Sequence, residues 1–338
     1  MMTRPLGRTG LQLTALGFGC TSLGNLYQAQ TEDAAIAAVE AAAAAGLDYV
    51  DVAPLYGFGL AEHRLGAALR RLPRRPILST KVGWRLSAKG RTAAGGSVSD
   101  ALFPEAAPFQ ATIDYSYDGI MRSFEDSLQR LGTDRVDILL LHDCDRRNHG
   151  SAYPDRFAEV RSGGWRALRS LRDQGAAAAI GAGLNEWEAC EDFARQLDPD
   201  CFLLAGRYSL LDQTSLDSFL PLCLQRGIGI VIGGPYNSGI LATGARPGAR
   251  YDYAPASPEI LARTAAIEAI CRRHDVPLRA AALQFPLTHP TVASVIPGAR
   301  DASEVQENVR LINHPVPPAL WTDLAAAGLL REDAVPTP

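Results

Sequence analysis

Short apolar runs recur eight times along this chain, and longer patterns with helix caps lie between them. Most of the runs are uniformly apolar instead of alternating, which is typical of parallel strands with both faces buried. Eight strand-and-helix units in succession favour a closed (β/α)8 TIM barrel over a long doubly wound sheet. The predicted strands are 15–19, 47–52, 76–82, 136–142, 178–184, 201–208, 229–234 and 293–298.

Capping residues mark where the helices begin and end. Thr31 is followed by Glu32 and Asp33, and Gly46 ends the alanine-rich pattern that starts at Ala34. A hydroxyl N-cap, acids in the first turn and a C-terminal glycine are the expected boundaries of a helix. The other predicted helices are 118–130, 186–196, 216–226, 258–274, 277–287 and one that opens at 304–308.

Three segments lie outside this repeat. The first thirteen residues carry a turn at 8–10 between short apolar pairs, which predicts a small N-terminal hairpin. Long loops at 84–117 and 235–257 follow strands three and seven. Loops of that length usually carry function, so we expect them to wall the substrate pocket. Because no linker divides the chain, the sequence predicts one domain over residues 1–338.

Composition narrows the range of partners. The chain has 338 residues, a net charge of -4 and no basic stripe, so nucleic acid is not an expected partner. It shows no signal-peptide pattern and no apolar run of membrane-span length, so no membrane partner is expected. Its six dispersed cysteines form no C-x-x-C pair, which argues against a zinc site and a secreted disulfide framework. A cytoplasmic protein without a metal is expected, and the oligomeric state stays open.

Titratable residues end three consecutive predicted strands. Asp51 ends strand two, with Tyr56 on the following loop, Lys81 ends strand three and His142 ends strand four. In a barrel the carboxyl ends of the strands meet at one rim, where active sites lie. The four side chains are therefore expected to form one catalytic group.

This set of residues suits proton transfer at an oxygen atom. A phenol with its ordinary pKa near 10 is a weak base at neutral pH, and a cation beside it lowers that pKa. Lys81 can be that cation for Tyr56, Asp51 can hold Lys81, and His142 can bond the substrate oxygen. With no other nucleophile or metal site in view, a hydride-carrying cofactor is the expected redox partner. A metal-dependent hydrolase would need more His and Asp ligands on strand ends.

Several segments resemble the aldo-keto reductase superfamily over nearly the whole chain: 51–69, 79–83, 126–143, 183–188 and 296–309. The resemblance implies that Tyr56 is the acid/base, that Lys81 and Asp51 tune it, and that His142 orients the substrate. GFGCTSLG at 17–24 lacks the glycine spacing of a Rossmann fingerprint, so that fold is not predicted.

The resemblance also implies a cofactor site. Asn185 is expected to bind the nicotinamide carboxamide. Gly298 and Glu304 stand where NADP-selective members carry a lysine and an arginine for the 2′-phosphate, so NAD is the expected cofactor and NADP the alternative. Many family members have a glutamine on strand six, where this chain has Ala205, and a tyrosine after strand seven that stacks on the nicotinamide, where this chain has Gly-Gly-Pro at 233–235. Arg207, Tyr208 or Tyr236 are the candidates to replace these nicotinamide contacts. The remaining expected cofactor contacts are Gly19, Thr21, Asp51, Asn237, Ser238, Gly239, Leu241, Pro297, Arg300 and Asn308.

Finer matches indicate the branch. Segments 113–119, 142–150, 203–213 and 233–245 are similar to D-threo-aldose 1-dehydrogenases, also called L-fucose dehydrogenases, and to pyridoxal 4-dehydrogenases. The implied substrate is a small cyclic hemiacetal, oxidised to a lactone, with a sugar or pyridoxal as the two alternatives. A non-catalytic, redox-sensing barrel of the channel β-subunit kind is the rival from another class.

Overall fold

A computed structural model describes residues 1–88 and 102–336 and confirms the predicted barrel. Eight parallel strands within these residues pair in chain order, and isolated bridges from Leu16 to Val295 and from Gly19 to Gly298 join the last strand to the first. The strands are β1 (Phe18–Gly19), β2 (Tyr49–Asp51), β3 (Ile77–Val82), β4 (Ile138–His142), β5 (Ala179–Leu184), β6 (Cys201–Ala205), β7 (Gly229–Gly233) and β8 (Val292–Ile296).

Helices cover the outside of the barrel. Thr31 caps the first one through its side chain, as predicted, and Gly227 in a left-handed conformation ends the helix after β6. Four helical stretches were not predicted: Leu60–Leu69, the region between Arg146 and Asp173 after β4, Ile240–Thr243 and Pro318–Ala326. The α-helices of four or more residues are Glu32–Ala44, Leu60–Leu69, Tyr117–Leu131, Arg146–His149, Tyr153–Glu159, Trp165–Asp173, Trp187–Gln196, Phe219–Arg226, Ile240–Thr243, Pro258–Arg273, Leu278–Gln284, Ala302–Ile312 and Pro318–Ala326.

The barrel interior is filled by side chains, so the barrel is a packed core and contains no pore. Tyr49, Leu140 and Val231 point inward from β2, β4 and β7 and belong to one buried cluster. Leu6 and Leu13 from the N-terminal hairpin join the same cluster, and the hairpin strands Thr3–Pro5 and Gln12–Thr14 pair antiparallel. The predicted hairpin therefore closes the end of the barrel that is opposite the candidate site.

The two long loops contain secondary structure that the sequence did not indicate. Trp84–Ala88 and Phe109–Ile113 form an antiparallel hairpin after β3, while 89–101 of the predicted loop 84–117 fall outside the described residues. The loop after β7 contains a short hairpin, Arg250–Tyr251 with Ala254–Pro255. Within the described ranges, none of the helices is both long and apolar enough to cross a membrane.

Candidate active site

Three of the four predicted catalytic side chains bond directly to one another at the carboxyl rim of the barrel. Lys81 Nζ donates to Asp51 Oδ2 at 2.6 Å, to Tyr56 Oη at 2.9 Å and to the carbonyl of Val52 at 3.0 Å. Lys81 and Asp51 are 1% and 2% exposed. An ammonium group has three protons to donate, so all three are satisfied in this buried position.

The neighbouring strands make room for the lysine and hold its partner. A Cβ atom at Gly183 on β5 would come within 3.2 Å of Lys81 Cε, so a glycine there lets the lysine side chain pass. Asp51 Oδ1 accepts from Ser79 Oγ at 2.7 Å, and Ser79 is its register partner on β3. Each oxygen of the Asp51 carboxylate therefore has a donor, which fixes its orientation.

Electrostatics set the protonation states of this group. Burial lowers the pKa of Lys81, but Asp51 and Tyr56 overcome that effect and raise it above the ordinary value, so the ammonium is charged. Burial also raises the pKa of the Tyr56 phenol, and Lys81 opposes the rise. The sequence argument anticipated the effect of Lys81 but not the larger effect of burial, so Tyr56 is a neutral phenol in this structure at neutral pH.

His142 lies across the site from the tyrosine. Its ring centroid is 6.0 Å from that of Tyr56, and its carbonyl accepts from the buried hydroxyl of Tyr115 at 2.9 Å. Burial and Lys81 hold the pKa of His142 well below its usual range, so the imidazole is neutral. Its Nδ1 is buried and has no hydrogen-bond partner among residues 1–88 and 102–336, and the residue lines the cavity described next.

A cavity of about 230 Å³ opens beside these four residues. Phe103, from the long loop after β3, and Leu55 give it apolar walls, while Arg147 and Asn148 give it polar ones. This mixture of apolar walls and a few polar groups is typical of small-molecule sites.

A second cavity, of about 370 Å³, continues along the rim from the same tyrosine to the helix after β8. Among the predicted cofactor contacts, those that line it are Gly19, Thr21, Asp51, Asn237, Ser238, Gly239, Pro297, Gly298, Arg300 and Glu304. Asn185 lines the smaller cavity instead. We call the larger cavity the dinucleotide groove.

Two predicted contacts lie behind the groove. Leu241 is fully buried in the core and its amide bonds to the carbonyl of Tyr236, so neither its side chain nor its amide faces a ligand. Asn308 accepts from the Tyr236 hydroxyl at 2.7 Å. The family resemblance implied that both residues contact the cofactor, but the loop and the helix direct their side chains inward.

Sequence reasoning missed an aromatic residue at the junction of the two cavities. Tyr253 lines both, and its amide donates to Ser238 Oγ at 2.9 Å. Asp252 holds this turn in place by accepting from Arg147 at 2.6 Å and from Arg207 at 2.7 Å. Of the candidate substitutes for the absent family residues, Tyr208 is buried 5.0 Å from the Phe285 ring and is not part of either cavity lining.

The groove fits an extended dinucleotide. Glycines line it at several strand and loop ends, including Gly206, Gly234 and Gly298, where the backbone can approach a ligand closely. Asn237 Oδ1 is buried without a partner among the described residues and lies on the same wall. Its lining combines apolar residues such as Leu203 and Ile296 with polar ones such as Thr21 and Ser238, so it can take both ring and polar parts of a ligand.

Fold and site together define a nicotinamide-dependent oxidoreductase barrel. Residues 15–328 match the aldo/keto reductase family, and the chain belongs to that family. It is 45% identical over 333 residues to the pyridoxal 4-dehydrogenase of Microbacterium luteolum, with 97% of each chain covered. It is 38% identical over 331 residues to a D-threo-aldose 1-dehydrogenase from Pseudomonas sp, again with 97% of each chain covered.

The solved structures agree with this assignment. A Bacillus halodurans aldo-keto reductase in its holo form superposes with a TM-score of 0.74 at 26% identity, covering 98% of this chain and 97% of that one. Members of the family use nicotinamide cofactors, so the chain is an NAD(P)-dependent oxidoreductase.

Proposed function

We propose that this protein oxidises the hemiacetal carbon of a small cyclic sugar to a lactone, with Tyr56 as the acid/base. The observation that carries the proposal is the hydrogen-bonded chain from Asp51 through Lys81 to the Tyr56 hydroxyl, which opens onto the same cavity as His142. A bound nicotinamide supplies the hydride acceptor for oxidation and the hydride donor for reduction.

Each residue of the group has one task in this reaction. Tyr56 Oη takes the proton from the hemiacetal hydroxyl, and Lys81, at 2.9 Å, stabilises the phenolate that must form first. Neutral His142 donates a hydrogen bond to the same substrate oxygen and holds it beside Tyr56. The carbon loses a hydride and its oxygen loses a proton, so the C–O bond becomes the carbonyl of the lactone.

Pyridoxal is the second candidate substrate, and the 45% identical relative favours it. Its hemiacetal form presents the same reacting group as an aldopyranose, so the same residues would act in the same roles. The cavity beside Tyr56 combines Phe103 and Leu55 with Arg147 and Asn148, which suits either ring.

NAD is the proposed cofactor. The Glu304 carboxylate takes two hydrogen bonds from the Arg300 guanidinium and one from its amide, at 2.6 to 3.0 Å. An arginine engaged in this way is less available to a 2′-phosphate, and the carboxylate would repel one. Glu304 at the adenosine end of the groove is also placed to accept from ribose hydroxyls.

The test is a screen of NAD and NADP reduction over L-fucose, D-arabinose, L-galactose and pyridoxal, with Tyr56→Phe as the inactive control. We expect turnover with at least one of these hemiacetals and formation of its lactone. Binding of reduced cofactor without turnover of any of them would contradict the proposal and favour a redox-sensing barrel.

A further inference from the structure

A buried carboxyl group that has no part in the proton transfer above lies at the substrate end of the site. Asp143 Oδ1 is 3.6 Å from His142 Nε2, and Asp143 lines the same cavity as Tyr56 and Lys81. The residue is only 6% exposed. A substrate whose reacting oxygen meets His142 and Tyr56 therefore brings its neighbouring atoms close to Asp143.

The structure holds this carboxyl group in one orientation. Trp84 Nε1 donates to its Oδ2 at 2.9 Å, and Asn185 Nδ2 lies 3.4 Å from its Oδ1. The backbone of Asp143 has a φ of 58°, in the left-handed region that few residues other than glycine adopt, and its amide bonds to Gly183 O at 3.1 Å. Strained and anchored residues of this kind cluster at ligand sites.

The carboxyl group keeps unused acceptor capacity on its cavity side. A carboxylate offers about four lone-pair sites. Among residues 1–88 and 102–336, its side chain accepts from the Trp84 indole and, at longer range, from Asn185. Burial and the neighbouring Asp145 raise the pKa of Asp143 to about 7, so the charged acceptor form prevails above neutral pH. The other charged or titratable groups around it are Lys81 on β3, Tyr56 after β2, Tyr115 before the helix Tyr117–Leu131, His142, Cys144, Arg147 and His149 around β4, and Tyr253 after β7.

We propose that Asp143 is a specificity-determining residue whose carboxylate accepts a hydrogen bond from a substrate hydroxyl beside the reacting carbon. This inference rests on the proposed function and adds a substrate class to it: hemiacetals that carry such a hydroxyl. An aldopyranose has it on the adjacent carbon, and pyridoxal has it on the next ring carbon. Simple aldehydes and 2-deoxy sugars lack it.

Three pentoses that differ only at carbon 2 provide the first test: D-arabinose, D-ribose and 2-deoxy-D-ribose. In Asp143→Asn the amide oxygen can still accept from Trp84 Nε1. The amide NH₂ group, a donor, then takes the place of the carboxylate oxygen that faces the cavity as an acceptor. We expect kcat/KM to fall roughly 10- to 100-fold for the better hydroxylated pentose, and less than about threefold for the 2-deoxy sugar. Pyridoxal and its 3-methoxy ether are the matching pair if pyridoxal is the substrate. Equal losses within a pair would make Asp143 a positioning residue for His142 and overturn the inference.

A second readout does not need turnover. The indole N–H of Trp84 bonds to Asp143, so its NMR resonance in tryptophan-labelled protein reports the ionisation of that carboxyl group. The resonance is assigned with Trp84→Phe and followed against pH in the complex with NADH, alone and with each pentose or pyridoxal compound. We expect a midpoint near pH 7, absent in Asp143→Asn.

The shift of that midpoint decides the inference. A hydroxylated ligand should lower it, because a hydrogen bond to the charged form favours that form, and the deoxy or methoxy analogue should leave it unchanged. A midpoint that no ligand moves, or that both members of a pair move equally, overturns the role of Asp143. Failure of the proposed function is distinguished by the absence of turnover in the wild-type protein with every hemiacetal, whatever the resonance does.

Discussion

The proposed catalytic group and the dinucleotide groove share one rim of the barrel, but their charged residues are held in different ways. Lys81 and Asp51 form an almost fully buried ion pair that also holds Tyr56. Along the groove, Arg300 pairs with Glu304 at side chains that are 51% and 32% exposed. The first pair is fixed by two adjacent strands, and the second joins neighbouring turns of one loop and helix.

This difference has an energetic consequence. Breaking a buried ion pair leaves an unpaired charge in a medium that solvates it badly, at a cost of about 3–5 kcal/mol. Breaking an exposed pair costs about 0–1 kcal/mol, because water replaces the partner. We therefore expect the chemistry of this enzyme to be sensitive to single substitutions and its cofactor preference to be adjustable by them.

The largest effect is expected at the hydroxyl that moves the proton. Tyr56→Phe should lower turnover by about 10²–10⁴-fold, since that is the usual contribution of general acid–base catalysis. Cofactor affinity should stay nearly unchanged, because the hydroxyl faces the substrate oxygen. Steady-state kinetics and fluorescence titration with reduced cofactor measure the two quantities. Tyr236→Phe removes a hydroxyl that bonds Asn308 behind the groove and is the matched control. Retention of more than about a tenth of wild-type turnover, with hydride transfer rate-limiting, would remove Tyr56 from the mechanism.

The next effect concerns the buried ion pair itself. Lys81→Met leaves Asp51 without its cation and should destabilise the fold by about 3–5 kcal/mol in denaturant unfolding. Lys81 also opposes the rise in the pKa of Tyr56, and oxidation needs the phenolate, so the limb of the pH–rate profile should move to higher pH. Arg331→Met, which breaks exposed pairs with Asp217 and Asp333, is the control for stability. A measurable profile whose limb does not move would contradict the coupling of lysine and tyrosine.

The buried region could be predicted from sequence because the barrel repeat determines it. Asp51, Lys81 and His142 end consecutive apolar runs, and parallel strands in a barrel bring such ends to one rim. No comparable rule governs the loops. Tyr253 reaches the site because Asp252, with a φ of 51°, bonds two arginines from other loops. Asp143 directly follows His142, but its direction depends on one left-handed residue that the sequence does not reveal.

Helix prediction failed for a related reason. The region after β4 contains a π-helical turn, Val160–Gly164, with two consecutive glycines. Glycine inside a helix is unfavourable by about 1 kcal/mol, so the pattern did not indicate a helix there. Packing explains the outcome, because a Cβ atom at Gly164 would come within 2.7 Å of the Tyr115 carbonyl. Tertiary contact, and not local propensity, selects these residues.

A smaller effect is expected for cofactor choice, where the exposed pair can be adjusted. Glu304→Gln removes the carboxylate that would repel a 2′-phosphate and frees Arg300 to bind one. The ratio of kcat/KM for NADP to that for NAD should rise about tenfold, the equivalent of one charge-assisted hydrogen bond.

Glu307→Gln, on the same helix but paired with Arg279, is the matched control and should leave the ratio unchanged. A wild-type preference for NADP of tenfold or more would contradict the NAD proposal, and an unchanged ratio in Glu304→Gln would exclude this residue from the discrimination.

The smallest effect is expected where the hairpin after β7 is held over the site. Asp252 accepts from Arg147 and Arg207, and both arginines pair with it at partly exposed positions. Asp252→Asn should weaken both contacts by no more than about 1 kcal/mol each, because water can replace a partner there. Tyr253 would then leave the junction of the two cavities more often, so we expect cofactor to dissociate a few times faster in stopped-flow fluorescence, with the rate of hydride transfer little changed. Asp333→Asn removes a more exposed pair with Arg331, away from both cavities, and it provides the baseline. If Asp252→Asn instead slows hydride transfer as strongly as Lys81→Met does, the loop is as essential as the buried group, and the distinction between the two regions fails.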